Sequence, residues 1–235
     1  MKKLLIALFS LAALGANAQS ADEVIQKYTA NMGGLEAINK ISSAKMTGTF
    51  SSQGNDFPLT TLILNGKGMR TDVDVMGQFV TNCYFDGKGW KINPYAGAPA
   101  ATDVTGTELS DFKAQSYLAN QLMDYKARGH KVESPLEATV DGIKTYSIKL
   151  TNKDDGKATN YFISKTDYVL IKSSTNRDIQ GQNKEVETYY SDLKDFAGVK
   201  FFMDRSSKID GQEFQNIRFD KIELNVPIDE KIFNK

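Results

Sequence analysis

The sequence predicts a mainly β protein: one antiparallel sheet of about eleven strands with helical insertions, inferred from three observations. Residues 160–164, 168–173, 185–190 and 199–203 follow one another as runs rich in aromatic and β-branched residues. Turn chemistry separates them, as in Lys165-Thr166-Asp167 and Asp195-Phe196-Ala197-Gly198. No Pro and no helix-length apolar period interrupts the series, so neighbouring strands pair as a meander.

Both sides of this sheet carry apolar groups. Tyr161 and Ile163 alternate with Phe162, Leu170 with Val169 and Ile171, and Phe201 with Phe202. A sheet with one solvated face alternates more cleanly, so a second layer, the chain's own helices or a ligand, is expected to cover the second face.

The chain opens Met1-Lys2-Lys3, continues apolar over residues 4–14 and reaches Ala16-Asn17-Ala18 before Gln19-Ser20. A basic start, a short apolar run and an Ala-x-Ala site form a secretory leader, with cleavage expected after Ala18. The run is too short to span a bilayer, and no Cys follows it to take a lipid, so the mature chain is expected to be periplasmic and not membrane-anchored. The remaining residues are expected to form a single domain, 19–235. Lys and Arg number 29 against 29 Asp and Glu. Without a basic excess, nucleic acid is not an expected partner.

Ser20 is placed to cap a helix over 21–28, with Asp22 and Glu23 in its first turn and Val24, Ile25 and Tyr28 along one side. Gly33-Gly34 breaks it, and a short second helix runs from Leu35 to near Ile41. Strands follow at 44–50, 57–64 and 69–75, the last two joined by Asn65-Gly66, a hairpin signal. In 69–75 the alternation is sharp: Met69, Thr71, Val73 and Val75 face one way, Arg70, Asp72 and Asp74 the other. Strands at 78–85 and 90–93 complete this half, and Pro94 stops it. Residues 95–102 are small and loop-like. Residues 107–123, carrying Phe112, Tyr117, Leu118, Leu122 and Met123, are expected to form a helix lying over the sheet as a lid. Strands resume at 140–150 and run to 214–224, where the apolar phase shifts between Phe219 and Ile222 as a β-bulge requires. Residues 226–233 form an extended tail.

His130 is the one histidine and lies in the charged turn Lys126-Ala127-Arg128-Gly129-His130-Lys131. A His-based metal site or catalytic triad is therefore not expected. Asp72 with Asp74, and Asp154 with Asp155, read as solvated pairs. Gly66-Lys67-Gly68 and residues 86–89 read as hairpin turns without phosphate-loop context. Cys83 has no partner for a disulfide and reads as a buried strand residue. No enzyme, cofactor or metal is expected, and a hydrolase built around His130 or the acidic pairs is the minor rival. The supply of apolar side chains fits a hydrophobic cavity or a solid core.

The run from Leu64 to Arg70, continuing through Tyr84-Phe85-Asp86-Gly87-Lys88-Gly89-Trp90-Lys91-Ile92-Asn93-Pro94, resembles the outer-membrane lipoprotein-sorting proteins, the periplasmic carriers of the Lol system. Residues 21–28, 33–37 and 224–233 are similar to broader members of that superfamily. The resemblance implies an incomplete, unclosed barrel whose helices cover a cavity for lipid or lipoprotein acyl chains. It also implies exchange with an inner-membrane lipoprotein-releasing transporter and an outer-membrane acceptor. Arg70 matches the arginine that latches the lid in the carriers; its alternative is a surface ion pair with Asp72 or Asp74. The expected cavity residues are Phe112, Tyr117, Leu118 and Leu122 at the mouth, facing Met69, Val73, Val75, Phe79 and Trp90. The insertion at Gly33-Gly34 and the segment 103–123 depart from the carrier pattern. The alternative function is an envelope protein-interaction module with a solid core.

Overall fold

A computed structural model describes residues 19–179 and 181–235, so the leader read at 1–18 lies outside the described residues. Two helices, α1 (Ala21–Asn31) and α2 (Leu35–Lys40), precede six strands: β1 (Ser43–Ser52), β2 (Asn55–Leu64), β3 (Gly68–Val75), β4 (Gln78–Phe85), β5 (Lys88–Asn93) and β6 (Ala98–Val104). Helix α3 (Gly106–Gln115) and an irregular stretch to His130 separate these from β7 (Lys131–Val132), β8 (Leu136–Val140), β9 (Ile143–Thr151) and β10 (Ala158–Ser164). The chain closes with β11 (Leu170–Ile179), β12 (Gln182–Phe196), β13 (Val199–Ile209) and β14 (Gln212–Leu224), and a 3-10 turn at Glu230–Phe233.

The described strands form one antiparallel sheet of fourteen, in the order β6-β5-β4-β3-β2-β1-β14-β13-β12-β11-β10-β9-β7, with β8 also on β9. Its two ends do not pair, so the barrel is incomplete, in agreement with the fold class read from sequence. Two meanders meet at the centre through β1 and β14, the first strand and the last.

That junction contains the bulge foreseen near Phe219. Thr47 stands opposite Lys221 and Gly48 opposite Phe219, which leaves Asp220 as the extra residue. The bulge brings β14 so close that a Cβ on Gly48 would meet the Arg218 carbonyl oxygen and lie 2.8 Å from the Phe219 Cα. Only glycine fits there.

The three strands beyond the expected eleven are β6, β7 and β8. β6 is an edge strand of small residues, where Pro99 needs no ladder donor. Residues 140–150 hold part of a hairpin, because Asp141-Gly142 turns β8 into β9. The strands β11 to β14 also run longer than expected, since their far ends carry polar side chains and show no apolar alternation.

Helices α1 and α2, helix α3 and residues 116–130 all lie on one face, here called inner. α1 begins with a capping box between Ser20 and Glu23 and buries Val24, Ile25 and Tyr28 against Ile148, Leu150, Ile163 and Leu170. Beside it, Ile38 and Ile41 join Ala44, Met46, Leu59, Ile63, Met203 and Phe219. On the outer face the C-terminal tail is packed rather than free. Phe233 and Ile232 cover Cys83, Trp90 and Phe85, and the Trp90 Nε1–H donates to the Phe233 carbonyl at 2.7 Å. Burial there pushes the Cys83 thiol up to about 12, which leaves it protonated and unreactive.

Candidate functional site

The expected lid helix ends early. α3 stops at Gln115 because the chain beyond it is held by other partners. The Ser116 Oγ–H donates to the Lys113 carbonyl at 2.7 Å, the Leu118 N–H donates to Asn65 Oδ1 at 3.0 Å, and the Gly66 N–H donates to the Ser116 carbonyl at 2.8 Å. Residues 116–130 therefore form a roof of turns, not of helix. Asn120 pins its middle by donating to the Tyr28 hydroxyl at 2.7 Å, and Arg128 pins its end by donating to the Ala119 carbonyl at 2.8 Å.

The roof buries Leu122 fully and Ala119 almost so, with Leu118 and Met123 packed on the same clusters. Tyr117 lies under the Arg128 guanidinium, 3.9 Å from ring centre to Cζ, where a cation rests on the π face. Phe112 projects from α3 onto Met69, Tyr84 and Val104. Val73 is half-buried at the margin of the main inner cluster, and Val75 lies further out on the same side of β3. Of the expected cavity residues, Met69, Val73, Val75, Phe112, Tyr117, Leu118 and Leu122 thus lie on the inner side or in its cover.

Trp90, Phe79 and Arg70 do not. Cross-strand register places Arg70 opposite Cys83 and Cys83 opposite Trp90, all on the outer face under the tail. Phe79 pairs with Asp74 on that face and is 54% exposed. The reason lies in strand parity: Arg70 is one residue from Met69, and Trp90 is one residue from Gly89, over which Leu109 of α3 lies. Arg70 pairs with Asp72 at 2.8 Å and donates to the Ile232 carbonyl at 2.6 Å, so it fastens the tail and not the roof. The ion pair was its alternative reading. Asn65 is among the residues that fasten the roof, though in sequence it reads as a turn residue alone.

The inner face has two zones. Under the helices and roof it is filled with packed side chains, and burial pushes the hydroxyls of Tyr28 and Tyr161 well above the ordinary tyrosine value. Beyond the roof the strands continue, and Phe50, Val73 and Ile217, packed at the margin of the main cluster, stay half-buried. Phe50 faces Ile217 across β1 and β14, so the apolar surface runs unbroken from the filled zone outward. Neither Phe50 nor Ile217 was singled out from sequence, although each fits the alternation of its strand.

Between α3, the roof and the β9–β10 turn lies a polar pocket of about 220 Å³, lined among others by Lys113, Arg128, His130, Asn152 and Asp154. Its charges are matched: Lys113 pairs with Asp154 at 2.5 Å and Arg128 lies 3.5 Å from Asp124. His130 Nδ1 accepts the Lys153 N–H at 3.1 Å. Burial, then the Arg128 charge, holds its imidazole below the ordinary histidine value.

With this geometry in place, the fold matches solved structures over almost the whole chain. A LolA superfamily protein from Nitrosomonas europaea superposes with a TM-score of 0.58 at 11% identity, covering 93% of this chain and 99% of that one. The chain shares the fold of that protein. A domain described as an outer membrane lipoprotein-sorting protein, from Vibrio parahaemolyticus, gives a TM-score of 0.58 at 13% identity over 92% of this chain and 96% of its own. A DUF1329 family protein from Desulfovibrio piger gives 0.61 at 10% identity, over 92% and 98%. No protein-family model and no curated protein matches the sequence. At 10–13% identity these likenesses are of fold. Among the described residues no helix is long and apolar enough to cross a membrane.

Proposed function

We propose that the protein is a non-enzymatic carrier of acyl chains, borne by lipids or lipoproteins, in the periplasm. The observation that carries this reading is the unroofed apolar margin of the inner face at Phe50, Val73 and Ile217, continuous with a core whose cover is a set of turns. A ligand chain would first lie on that margin and then displace Leu118, Leu122 and Met123 as the roof swings out. The roof is suited to this because it is tied to the rest of the molecule by a few hydrogen bonds, from Asn65, Asn120 and the Gly66 N–H and from Tyr125 and Lys126 to Asp22, with no strand pairing to break. Each methylene moved from water onto such a surface contributes about 0.8 kcal/mol, so one long chain supplies useful affinity without polar recognition.

In this reading the leader at 1–18 exports the chain, and cargo passes from an inner-membrane lipoprotein-releasing transporter to an outer-membrane acceptor. The lipoprotein-sorting description of the Vibrio structure supports that assignment of cargo. The second reading, a protein-interaction module, is favoured by the filled inner zone, where Leu122, Ile148 and Leu150 are fully buried. Native mass spectrometry of the protein expressed with its leader and purified without detergent separates the two. A stoichiometric acyl-bearing adduct is expected for the carrier; a bare mass that takes up no added fatty acid or lipopeptide favours the interaction module.

A further inference from the structure

Arg205 is half-buried on the inner face of β13 and, among the described residues, has no partner of opposite charge. Its orientation follows from register, since it stands opposite Tyr190 on β12 and Ile217 on β14. Its guanidinium lies 5.6 Å from the centre of the Phe219 ring, and Tyr28 of α1 is near enough to feel its charge. Its inner-face neighbours are Tyr190, Thr188, Ser207, Met203, Ile217 and Phe219, with no carboxylate among them. The Nε–H is buried and makes no hydrogen bond. The Arg128 Nε–H is likewise buried without a hydrogen bond, but the other half-buried arginines have counter-charges: Arg70 has Asp72 and Arg128 has Asp124.

A buried Nε–H that makes no hydrogen bond is unfavourable, and no counter-charge offsets it here. Such a group is retained where its partner arrives from outside. Around it the apolar side is supplied by Phe219, Ile217 and Phe50, and the polar side by hydroxyls: Thr188 and Ser207 are 3.2 Å apart, and Tyr190 and Ser173 3.0 Å. An oxyanion with an apolar chain fits both sides at once.

We infer that Arg205 binds the anionic headgroup of an acyl ligand, a carboxylate or a phosphate, with the chain lying over Phe219 and Ile217 toward Phe50. The inference rests on the carrier reading and narrows it to anionic amphiphiles. A planar guanidinium receives two oxygens side by side, which gives the headgroup a fixed orientation.

The test compares binding of palmitate, palmitoyl lysophosphatidic acid and hexadecanol to the wild-type protein, Arg205→Gln and Arg205→Lys at neutral pH. The expected result is that wild type binds at least one of the acids about tenfold more tightly than the alcohol, the order of a charge-assisted hydrogen bond. Arg205→Gln should lose that preference while keeping its affinity for the alcohol, and Arg205→Lys should keep part of it. Preference for palmitate would identify a fatty carboxylate, and preference for the lysolipid a lipid phosphate. Equal binding of all three by wild type, or an equal loss of all three in Arg205→Gln, overturns the assignment and leaves the carrier reading standing. Binding of none overturns both. Should Arg205→Gln fail to fold, the wild-type preference and the Arg205→Lys profile still decide.

Discussion

Asn65 Oδ1 accepts the N–H of Leu118 at 3.0 Å, while its side-chain amide donates to the Ile41 carbonyl at 2.8 Å and to that of Ile38 at 3.2 Å. One side chain in the β2–β3 turn thereby joins the end of α2, the sheet and the roof. If the roof moves, this bond is among those that must break.

Asn65→Ala strands the Leu118 N–H and the Ile41 carbonyl, at a cost of about 2 kcal/mol. Because the roof opens locally, hydrogen exchange at the Leu118 amide should accelerate by at least about tenfold, while amides of β1 and β14 stay protected. Uniform acceleration through the sheet would mean that the roof does not open as a separate unit.

Arg70→Ala gives the opposite pattern. Its contacts are Asp72 and the Ile232 carbonyl on the outer face, so the loss should appear as about 1–3 kcal/mol of stability and faster exchange in the tail. Acyl uptake should be unchanged. A change in uptake with an intact tail would restore the latch role implied by sequence resemblance.

Gly48→Ala should destabilise the junction of the two meanders by about 3 kcal/mol or more, since neither backbone can yield without losing the bulge. Chemical denaturation measures it. Loss below about 1 kcal/mol would mean that β14 tolerates a different register there.

The pH dependence has a definite sign at His130. Its folded-state value is lowered, first by burial and then by Arg128, while Lys113 opposes and Asp154 and Asp155 favour the charged form. The unfolded chain therefore binds the proton more readily, so the contribution is complete above about pH 6.5 and is lost as the pH falls through the folded value. Protonation also removes Nδ1 as acceptor for the Lys153 N–H. Denaturation midpoints should decline below that pH, and His130→Gln should flatten the decline. An unchanged slope in the variant would place the titration elsewhere.

Much of the fold could be read from the residues because alternation and turn chemistry agree. The bulge at Asp220 was visible as a phase shift, and the stripe of Val24, Ile25 and Tyr28 as a helix face. The site was harder. Parity within single strands already set Met69 apart from Arg70, but parity does not carry from one strand to the next without register. Trp90 was therefore assigned to the wrong side. Residues 107–123 have helical composition throughout, and only the tertiary bond from Asn65 and the demands of Ser116 and Asn120 end the helix at Gln115. Arg205 sits in Asp204-Arg205-Ser206-Ser207-Lys208, which reads as a polar strand end, although its two-residue spacing from Met203 and Ser207 places it on the buried face.

The most direct test of the carrier account is photo-crosslinking with a fatty acid bearing a diazirine along its chain, followed by peptide mapping of the labelled protein. Label is expected on the inner face at Phe50, Val73 and Ile217 and on the roof at Leu118 to Met123, with the outer face at Phe79, Trp90 and Phe233 unlabelled. Label confined to the outer face, or none above that on the unfolded chain, would contradict the account.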